Sequence, residues 1–369
     1  MRSVFKFSLL AVALTALVAG NAFAQFTGDV NTSFGRTTRD DNWNSPLKGG
    51  SKFEGGVEMN FRGAGGDGAV TGGFRIRLRD DFSKSVLTSA KYNDGTASVP
   101  AGNPSVDTKS TSVSNLSAFR GFINWALSDA LSVKIHGRSY GLTGEMGNAD
   151  RAVLQYQDGL GTDDAANDFF FNSTGISVVF KGPVQAEAGI FNDCRACPGV
   201  ASTHVRAGSQ SIGLGLTGSA GAISYNVIIK NAGSVDMDKT GGTKPDNTPK
   251  TAFMGFGVGY AGGAFNVNVD HSSLKTNAGT TGAKDSTNDV NVVGLDAAGA
   301  FLSYMMGSSK AAGAKDADAV AEIVLGYNIV TTAKGKIVAE YRSVTNTPGG
   351  KGAKSSSANA MMIGGTTKF

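Results

Sequence analysis

The sequence predicts an all-β protein, a transmembrane antiparallel up-and-down barrel of about sixteen strands, from three observations. Short segments throughout residues 25–369 alternate apolar and polar side chains, the period of a strand with two different faces. The connections between these segments alternate long and short along the chain. The chain also stops on an amphipathic strand that ends in Phe369. Together these features favour a closed barrel with one face toward lipid.

The composition supports strands and turns over helices. Glycine is abundant, at 52 of 369 residues, and proline is scarce, at 8. Residues 25–369 contain no run with a 3.6-residue apolar period and no apolar run long enough for a transmembrane helix. The formal net charge of +4 and the lack of a basic block predict no nucleic-acid partner. A soluble β-sandwich or solenoid and an outer-membrane barrel remain as fold classes.

Residues 1–24 are predicted to be a signal peptide. Arg2 and Lys6 form a basic head, residues 7–20 are mostly apolar, and Ala22 and Ala24 supply the small-x-small cleavage pattern. The alternative is an N-terminal membrane anchor, but the run is shorter than the roughly 18 apolar residues that span a bilayer. We therefore expect residues 25–369 to form a multi-pass barrel in the outer membrane of a Gram-negative bacterium.

Sixteen segments show strand alternation. In the second, for example, Phe53 and Val57 share one face and Glu58 lies on the other. The predicted strands are 26–34, 53–61, 70–79, 116–126, 131–138, 170–181, 184–191, 210–217, 222–230, 252–260, 264–271, 289–295, 299–306, 320–330, 336–344 and 358–369.

Loop length follows strand parity. Connections after odd strands are long, such as 80–115 and 139–169, whereas those after even strands are short, such as 62–69 and 182–183. Long external loops and short periplasmic turns are typical of outer-membrane barrels. A soluble sandwich has no reason to sort its loops in this way, so the pattern favours the barrel.

Basic residues on three neighbouring strands predict a basic wall that lines the pore. Arg75, Arg77 and Arg79 share one face of the third strand. At mid-membrane each would cost about 2–4 kcal/mol if that face met lipid, so we expect all three in the lumen. The same parity places further basic residues inward on the next two strands: Arg120, Lys134 and Arg138. The alternative is a solvated face without a selective role.

The long segment 139–169 is acidic. Its carboxylates are Glu145, Asp150, Asp158, Asp163, Asp164 and Asp168, against the single cation Arg151. If this loop folds into the barrel, its carboxylates face the basic wall and create a transverse field. The alternative is an external acidic loop that binds divalent cations or contacts lipopolysaccharide. Further carboxylates are predicted on inward faces, which argues against strong selectivity and leaves at most a slight anion preference: Glu54, Glu58, Glu187, Asp270, Glu322 and Glu340.

The two cysteines, Cys194 and Cys197, lie in the fourth external loop. A local disulfide suits an oxidising compartment. A redox motif would need a thioredoxin-like βαβ setting, and haem attachment would need His where Pro198 stands. A metal site with His204 would have only three ligands. We predict no metal site and no cofactor.

Enzymatic function is not predicted. The chain has three histidines, His136, His204 and His271, and strand parity brings none of them together with a serine and an acid. The predicted inward aromatics are Phe191 and Phe301, too few for the aromatic track of a sugar-specific channel.

The hairpin formed by residues 118–125 and 131–140 resembles the general bacterial porin family, in which an inward Arg opens one strand and a Gly-Arg pair closes the next. Residues 167–183 resemble the strand that resumes after that family's pore-constricting third loop, here 139–169. The end of the chain resembles the signal read by the barrel-assembly machinery, with Phe369 as its aromatic residue.

The resemblance implies a sixteen-stranded homotrimer that lets ions and small hydrophilic solutes diffuse passively, in contact with outer-membrane lipid and lipopolysaccharide. Two alternatives remain open: a substrate-specific channel of the same fold, and a structural or adhesive surface barrel.

Overall fold

The computed structural model describes residues 25–40, 50–80, 115–137, 143, 149, 151, 174–192, 210–235, 250–277, 284–350 and 354–369. The predicted signal peptide 1–24, Arg138, the two cysteines and the six acidic residues of 139–169 lie outside the described residues. Arg77, Arg79 and Arg120 are described for their backbone only.

The chain forms sixteen antiparallel strands, as predicted. In order they are β1 Gln25–Arg39, β2 Gly50–Asp67, β3 Val70–Asp80, β4 Asn115–Ala126, β5 Leu131–Gly137, β6 Thr174–Phe180, β7 Val184–Asn192, β8 Gln210–Ala220, β9 Ile223–Val235, β10 Lys250–Ala261, β11 Phe265–Asn277, β12 Ser286–Ala297, β13 Ala300–Lys310, β14 Asp318–Thr331, β15 Gly335–Thr347 and β16 Ser356–Lys368. Each strand pairs with its neighbours in sequence, and β1 also pairs with β16. The sheet is therefore a closed barrel.

The last residue completes the closure. The amide of Gly28 donates to the carbonyl of Phe369 at 2.9 Å, and the amide of Phe369 donates back at 3.0 Å. The Phe369 ring lies across Gly28, where any Cβ would overlap it, and meets the Phe61 ring edge-on at 5.9 Å between centroids. Because β1 and β16 pair along their length, neither strand leaves an open edge. A sheet that spans a membrane must be closed in this way.

All seven connections after even strands are two to four residues long, and they lie at the same end as Gln25 and Phe369. We call this the turn end and the opposite end the loop end. Several of these turns use left-handed backbone, with Gly68 at φ 56°, Gly221 at φ 59° and Gly299 at φ 84°. Glycine adopts this conformation without the steric cost that a Cβ carries, so two-residue turns become accessible.

The predicted alternation of faces is confirmed in the described strands. On β10, Met254, Phe256 and Val258 are exposed on the outer surface, whereas Phe253 and the glycines between them face inward. Exposed outward aliphatic and aromatic side chains recur around the wall, as a lipid-facing surface requires. No helix among the described residues is long and apolar enough to cross a membrane.

Several strands are longer than predicted. The segment 62–69 was predicted as a turn, but β2 continues to Asp67 and only 68–69 turn. Residues 62–67 carry almost no apolar side chains, so alternation is invisible there, yet their backbone pairs with β3 throughout. Similarly, β1 continues to Arg39 and β9 to Val235. In contrast, β6 is described only from Thr174, later than predicted.

Candidate functional site: the barrel lumen

The inner surface of β1–β3 carries a chain of paired polar side chains. Arg75 donates from Nε and Nη2 to Asn60 Oδ1, at 3.0 and 2.7 Å. Asn60 in turn donates to Asp29 Oδ2 at 2.8 Å and to Glu58 Oε1 at 2.9 Å, and Arg62 forms an ion pair with Asp29. Arg75 therefore faces the lumen and is held by an amide that two carboxylates orient.

Three further predicted members of the basic wall, Arg77, Arg79 and Arg120, are described by backbone register. Arg120 is the Cα partner of Arg75 across β3 and β4. The register between β3 and β4 shifts after Arg77. Arg77 pairs with Ala118 but Leu78 pairs with Leu116, so one residue of β4 between these two partners has no partner on β3. The backbone pairing places the Cα of Arg120 next to that of Arg75, and the basic wall itself stays a prediction.

Lys134 on β5 faces inward, as predicted, but is not isolated. Its Nζ lies 5.5 Å from the centroid of the Phe122 ring and 3.9 Å from Glu187 Oε1. The positive charge therefore has both a ring face and a carboxylate beside it. Phe122 was missed as an inward aromatic, although its parity with Asn124 on β4 would have revealed it.

The prediction that no serine, histidine and acid come together is wrong. Nε2 of His136 lies 2.8 Å from Ser177 Oγ and 3.1 Å from Glu187 Oε1, and the Ser177 hydroxyl donates to the same Glu187 oxygen at 2.6 Å. These residues lie on β5, β6 and β7, which pair side by side. The sequence separations of 41 and 51 residues conceal this proximity.

This cluster lacks the geometry of a catalytic triad. In a triad the acid and the serine bind opposite nitrogens of the imidazole ring. Here both contact Nε2, and Nδ1 of His136 makes no hydrogen bond to any described residue. Ser177 is 1% exposed, so a substrate could not reach its hydroxyl. The three side chains form a buried hydrogen-bonded brace.

A second cation rests on an aromatic ring further along the wall. Lys230 Nζ on β9 lies 5.5 Å from the Phe191 ring centroid. The same Phe191 ring also packs against His136, with the two ring centroids 5.2 Å apart in an edge arrangement. Phe253 is the Cα partner of Lys230 and is 2% exposed. Phe191 is inward, as predicted, but Lys230 and Phe253 were not recognised.

One end of segment 139–169 is bound to the wall at β7. Glu187 Oε2 accepts from the Thr143 amide at 2.8 Å and from the Thr143 hydroxyl at 2.9 Å. Gln185 donates from Nε2 to the same hydroxyl at 3.0 Å. Glu187 therefore uses one oxygen for the brace and the other for the loop.

Two later residues of the same segment contact a different wall, formed by β11–β13. The Ala149 amide donates to Asp270 Oδ2 at 2.8 Å, and the Arg151 amide donates to Ser303 Oγ at 3.3 Å. The Arg151 guanidinium donates to Asn268 Oδ1 at 2.6 Å and lies 2.7 Å from Asp296 Oδ2. The segment thus touches two walls that are separated by β8–β10.

Gly294 on β12 lets the segment approach the wall closely. Any Cβ at this position would overlap the carbonyl oxygen of Ala149. Ala149 as a whole residue is 0% exposed. Arg151 also lines an open pocket of about 480 Å³ with Asn266, Asn268 and Asp296. We call Gly294, Asp270, Asn268, Asp296 and Ser303 the loop seat.

The chain matches no known family profile and no curated protein. Its fold is similar to solved structures. An anion-selective porin from Comamonas acidovorans is 14% identical, with a TM-score of 0.55 over 95% of this chain and 100% of the other. OmpT of Vibrio cholerae, an outer-membrane protein, is 11% identical, with a TM-score of 0.55 over 95% of this chain and 99% of the other. The chain therefore has the sixteen-stranded transmembrane barrel fold found in bacterial porins.

Proposed function

We propose that this protein is a non-enzymatic porin of a Gram-negative outer membrane, through which ions and small hydrophilic solutes diffuse passively. The observation that carries the proposal is segment 139–169, whose Thr143 binds β7 while Ala149 and Arg151 bind β11–β13. A loop tied to two separated walls crosses part of the lumen and narrows it. Fixed polar groups on the wall and the loop then replace bulk water for a passing solute.

We further propose that the basic and acidic predicted residues act on the two sides of this constriction. Arg75 and Lys134 supply described cations, and Arg77, Arg79, Arg120 and Arg138 would extend their wall. The carboxylates of 139–169 would lie across from them: Glu145, Asp150, Asp158, Asp163, Asp164 and Asp168. Because carboxylates also accompany the described cations, as in the contact of Lys134 with Glu187, we expect only a slight anion preference.

The test is conductance of the purified, folded protein in a planar bilayer. A water-filled channel should give discrete, ohmic conductance steps in simple salts and should also pass small uncharged sugars in vesicle-swelling assays. A structural or adhesive barrel would give no steps. A substrate-specific channel would give a current that one solute class blocks with saturation.

A homotrimer is proposed from the outer surface around the barrel seam. The four most exposed large apolar side chains of the described residues lie on β1, β2 and β16 or at its end: Met361 at 69%, Phe53 at 67%, Phe369 at 62% and Phe34 at 58%. Phe34 and Phe53 stack with centroids 5.5 Å apart. These projecting rings offer a surface for a second copy.

Outward polar groups share this face. Arg36 points outward in the same row as Met361 and Phe53, and Tyr341 donates its hydroxyl to Asn359 Oδ1 at 3.0 Å. Such groups are costly against hydrocarbon and tolerable in a protein contact. Phe53→Ser should convert oligomers to monomers on native gels, whereas Leu214→Ser on β8 should not. An equal effect of both variants would contradict this interface.

We also propose that residues 1–24 direct secretion, that Phe369 is read by the barrel-assembly machinery, and that Cys194 and Cys197 form a local disulfide. Deleting Phe369 removes its ring from Gly28 and Phe61, so we expect secretion without efficient assembly. Normal amounts of heat-modifiable, folded barrel after this deletion would contradict the assembly role.

A further inference from the structure

The open pocket on the inner wall of β9–β12 is lined by Arg151, Ser224, Asn266, Asn268 and Asp296. Asn266 is the second residue of β11, so the pocket lies near the turn end, and we call it the turn-end pocket. Its volume of about 480 Å³ falls within the range of about 300–1,000 Å³ that small-molecule sites occupy. The turn-end pocket can therefore hold one small solute.

The turn-end pocket contains a cation and an anion that lie side by side. Nε of the Arg151 guanidinium is 2.7 Å from Asp296 Oδ2, and the Asp296 side chain remains 38% exposed. Within the part of the chain that the structure describes, the second carboxylate oxygen of Asp296, Oδ1, makes no hydrogen bond. Because the two charges cancel at longer range, the pocket favours neither anions nor cations. It instead presents both signs of charge to a single small molecule.

Uncharged polar side chains beside this ion pair keep donors and acceptors for a solute. Asn268 uses Oδ1 for Arg151, which leaves its Nδ2 as a donor. The side chains of Asn266 and Ser224 make no hydrogen bond to any described residue. Gly259 pairs with both Ser224 and Asn268, and any Cβ there would overlap Ser224 Oγ and Asn268 Nδ2. These two polar atoms therefore converge over the bare backbone of β10.

We propose that the turn-end pocket binds the zwitterionic head of a neutral, polar α-amino acid. The ammonium of the solute contacts Asp296 Oδ1, and its carboxylate lies beside the Arg151 guanidinium, where Asn268 Nδ2 donates to it. Asn266 and Ser224 bind the rest of the solute. The inference deepens the proposed function and rests on it, since the bound solute lies inside the proposed pore.

The arrangement of charges selects this class of solute. The ammonium and the carboxylate of an α-amino acid are attached to one carbon atom, so they can meet the adjacent charges of Asp296 and Arg151 together. A solute with a single charge meets one attractive and one repulsive group. An uncharged solute leaves both members of the ion pair without a charged partner.

The test measures binding of L-serine to the folded protein in detergent micelles by saturation-transfer NMR, which requires no transport. Ser224→Ala combined with Asn266→Ala removes a hydroxyl and an amide from the pocket but none of the described contacts of segment 139–169. We expect the Kd to rise about tenfold, or about threefold for each lost hydrogen bond. The control combines Thr71→Ala and Asn124→Ala, which remove a hydroxyl and an amide from paired positions on β3 and β4, and its Kd should not change.

Analogues of L-serine test the chemistry of the solute. N-acetyl-L-serine lacks the ammonium, L-serine methyl ester lacks the carboxylate, and glycerol lacks both charges but keeps hydroxyls. Each should bind about tenfold more weakly than L-serine, because each loses at least one charged contact. Equal binding of glycerol would overturn the amino-acid site in favour of a general polyol site. Equal binding of N-acetyl-L-serine would overturn it in favour of an anion site.

Conductance in a planar bilayer separates this inference from the proposed function. Discrete conductance steps without saturable L-serine binding would overturn the amino-acid site and leave the pore intact. An equal loss of binding in the two double variants would also overturn the site. Saturable L-serine binding that the Ser224/Asn266 variant alone weakens would support the site, even if the same barrel gave no conductance steps and so contradicted the pore.

Discussion

The wall formed by β1–β3 and the loop seat on β11–β13 use polar side chains in opposite ways. On β1–β3, charged groups bind other side chains of the wall: Arg75 binds Asn60, and Asp29 binds Arg62. On β11–β13, the wall's polar groups bind residues of segment 139–169, as when Asp270 accepts from the Ala149 amide. Both regions are polar strands of the same sheet. The described charged side chains of β1–β3 bind one another or a neighbouring amide, whereas those of β11–β13 bind residues of segment 139–169.

If the barrel is the proposed pore, this difference separates its ion selectivity from its conductance. Substituting the charged groups on β1–β3 can change the local electric field without moving the backbone, because the partners of these groups are neighbouring side chains. Under the proposed function, changes in the loop seat would release Ala149 and Arg151 from the wall and so change the open area of the lumen. We expect charge substitutions on β1–β3 to alter selectivity at nearly constant conductance, and loop-seat substitutions to alter conductance itself.

The largest effect should come from Gly294→Val. The added side chain would overlap the Ala149 carbonyl oxygen and displace the segment from the wall. We expect higher single-channel conductance, together with a stability loss of about 1–3 kcal/mol from overpacking. Conductance in a planar bilayer and denaturant unfolding measure the two effects.

Gly121→Val provides the matched control for Gly294→Val. At Gly121 a Cβ would meet only the Gly73 carbonyl oxygen, at an ordinary 3.5 Å. Its conductance should equal that of the unchanged protein. If Gly294→Val conducts no better than Gly121→Val, the segment does not narrow the pore at the loop seat.

The next effect is on ion preference. Replacing Arg75, Arg77 and Arg79 with Gln leaves Asp29 and Glu58 on the neighbouring strands, so the local field should become more negative and favour cations. The reversal potential under a salt gradient should shift accordingly, and more at 0.01 M than at 1 M salt, because the Debye length falls from about 30 to about 3 Å.

The corresponding triple replacement with Lys keeps the charge and should leave the reversal potential unchanged. An unchanged potential in the Gln variant would show that these arginines do not line the narrow part. Better insertion into lipid with unchanged conductance would show that the strand faces the other way.

The sequence predicts a feature of this site only when the residues that form the feature are close together along the chain. Alternation within one strand correctly placed Glu187, Asp270 and Lys134 inward, because a period of two residues is visible locally. Pairing between strands requires register, which turn length determines. With 62–69 taken as a turn, the neighbourhood of Arg62 and Arg75 could not be read.

The loop seat was beyond sequence reasoning for a different reason. Ala149 and Asp270 are 121 residues apart, and no pattern indicates which wall a crossing segment meets. A glycine within a strand can signal close backbone approach, but Gly294 is one of 52 glycines in the chain. Only the closed barrel shows which of them a loop covers.

A smaller effect is expected from Glu187→Ala, which removes the oxygen that accepts from both the amide and the hydroxyl of Thr143. The loop seat still holds Ala149 and Arg151, so mean conductance should change less than in Gly294→Val. The freed end should instead increase current fluctuations in single-channel recordings. Glu187→Gln retains an acceptor oxygen and should restore quiet recordings. Equal noise in both variants would mean that the carboxylate's charge, rather than its bonds to Thr143, matters.

The smallest effect should come from Ser177→Ala, which tests the hydrogen-bonded brace against a catalytic interpretation. The Ser177 hydroxyl bridges His136 and Glu187, and these two remain 3.1 Å apart without it. We expect a stability loss of about 1 kcal/mol with unchanged conductance, since Glu187 still binds Thr143. Ser132→Ala is the control, because that hydroxyl is equally buried and makes no hydrogen bond to a described residue, so its loss should cost less. Denaturant unfolding in lipid vesicles measures both. Equal losses would mean that the Ser177 bridge contributes nothing, and an ester hydrolysis that Ser177→Ala alone abolishes would establish the serine as a nucleophile.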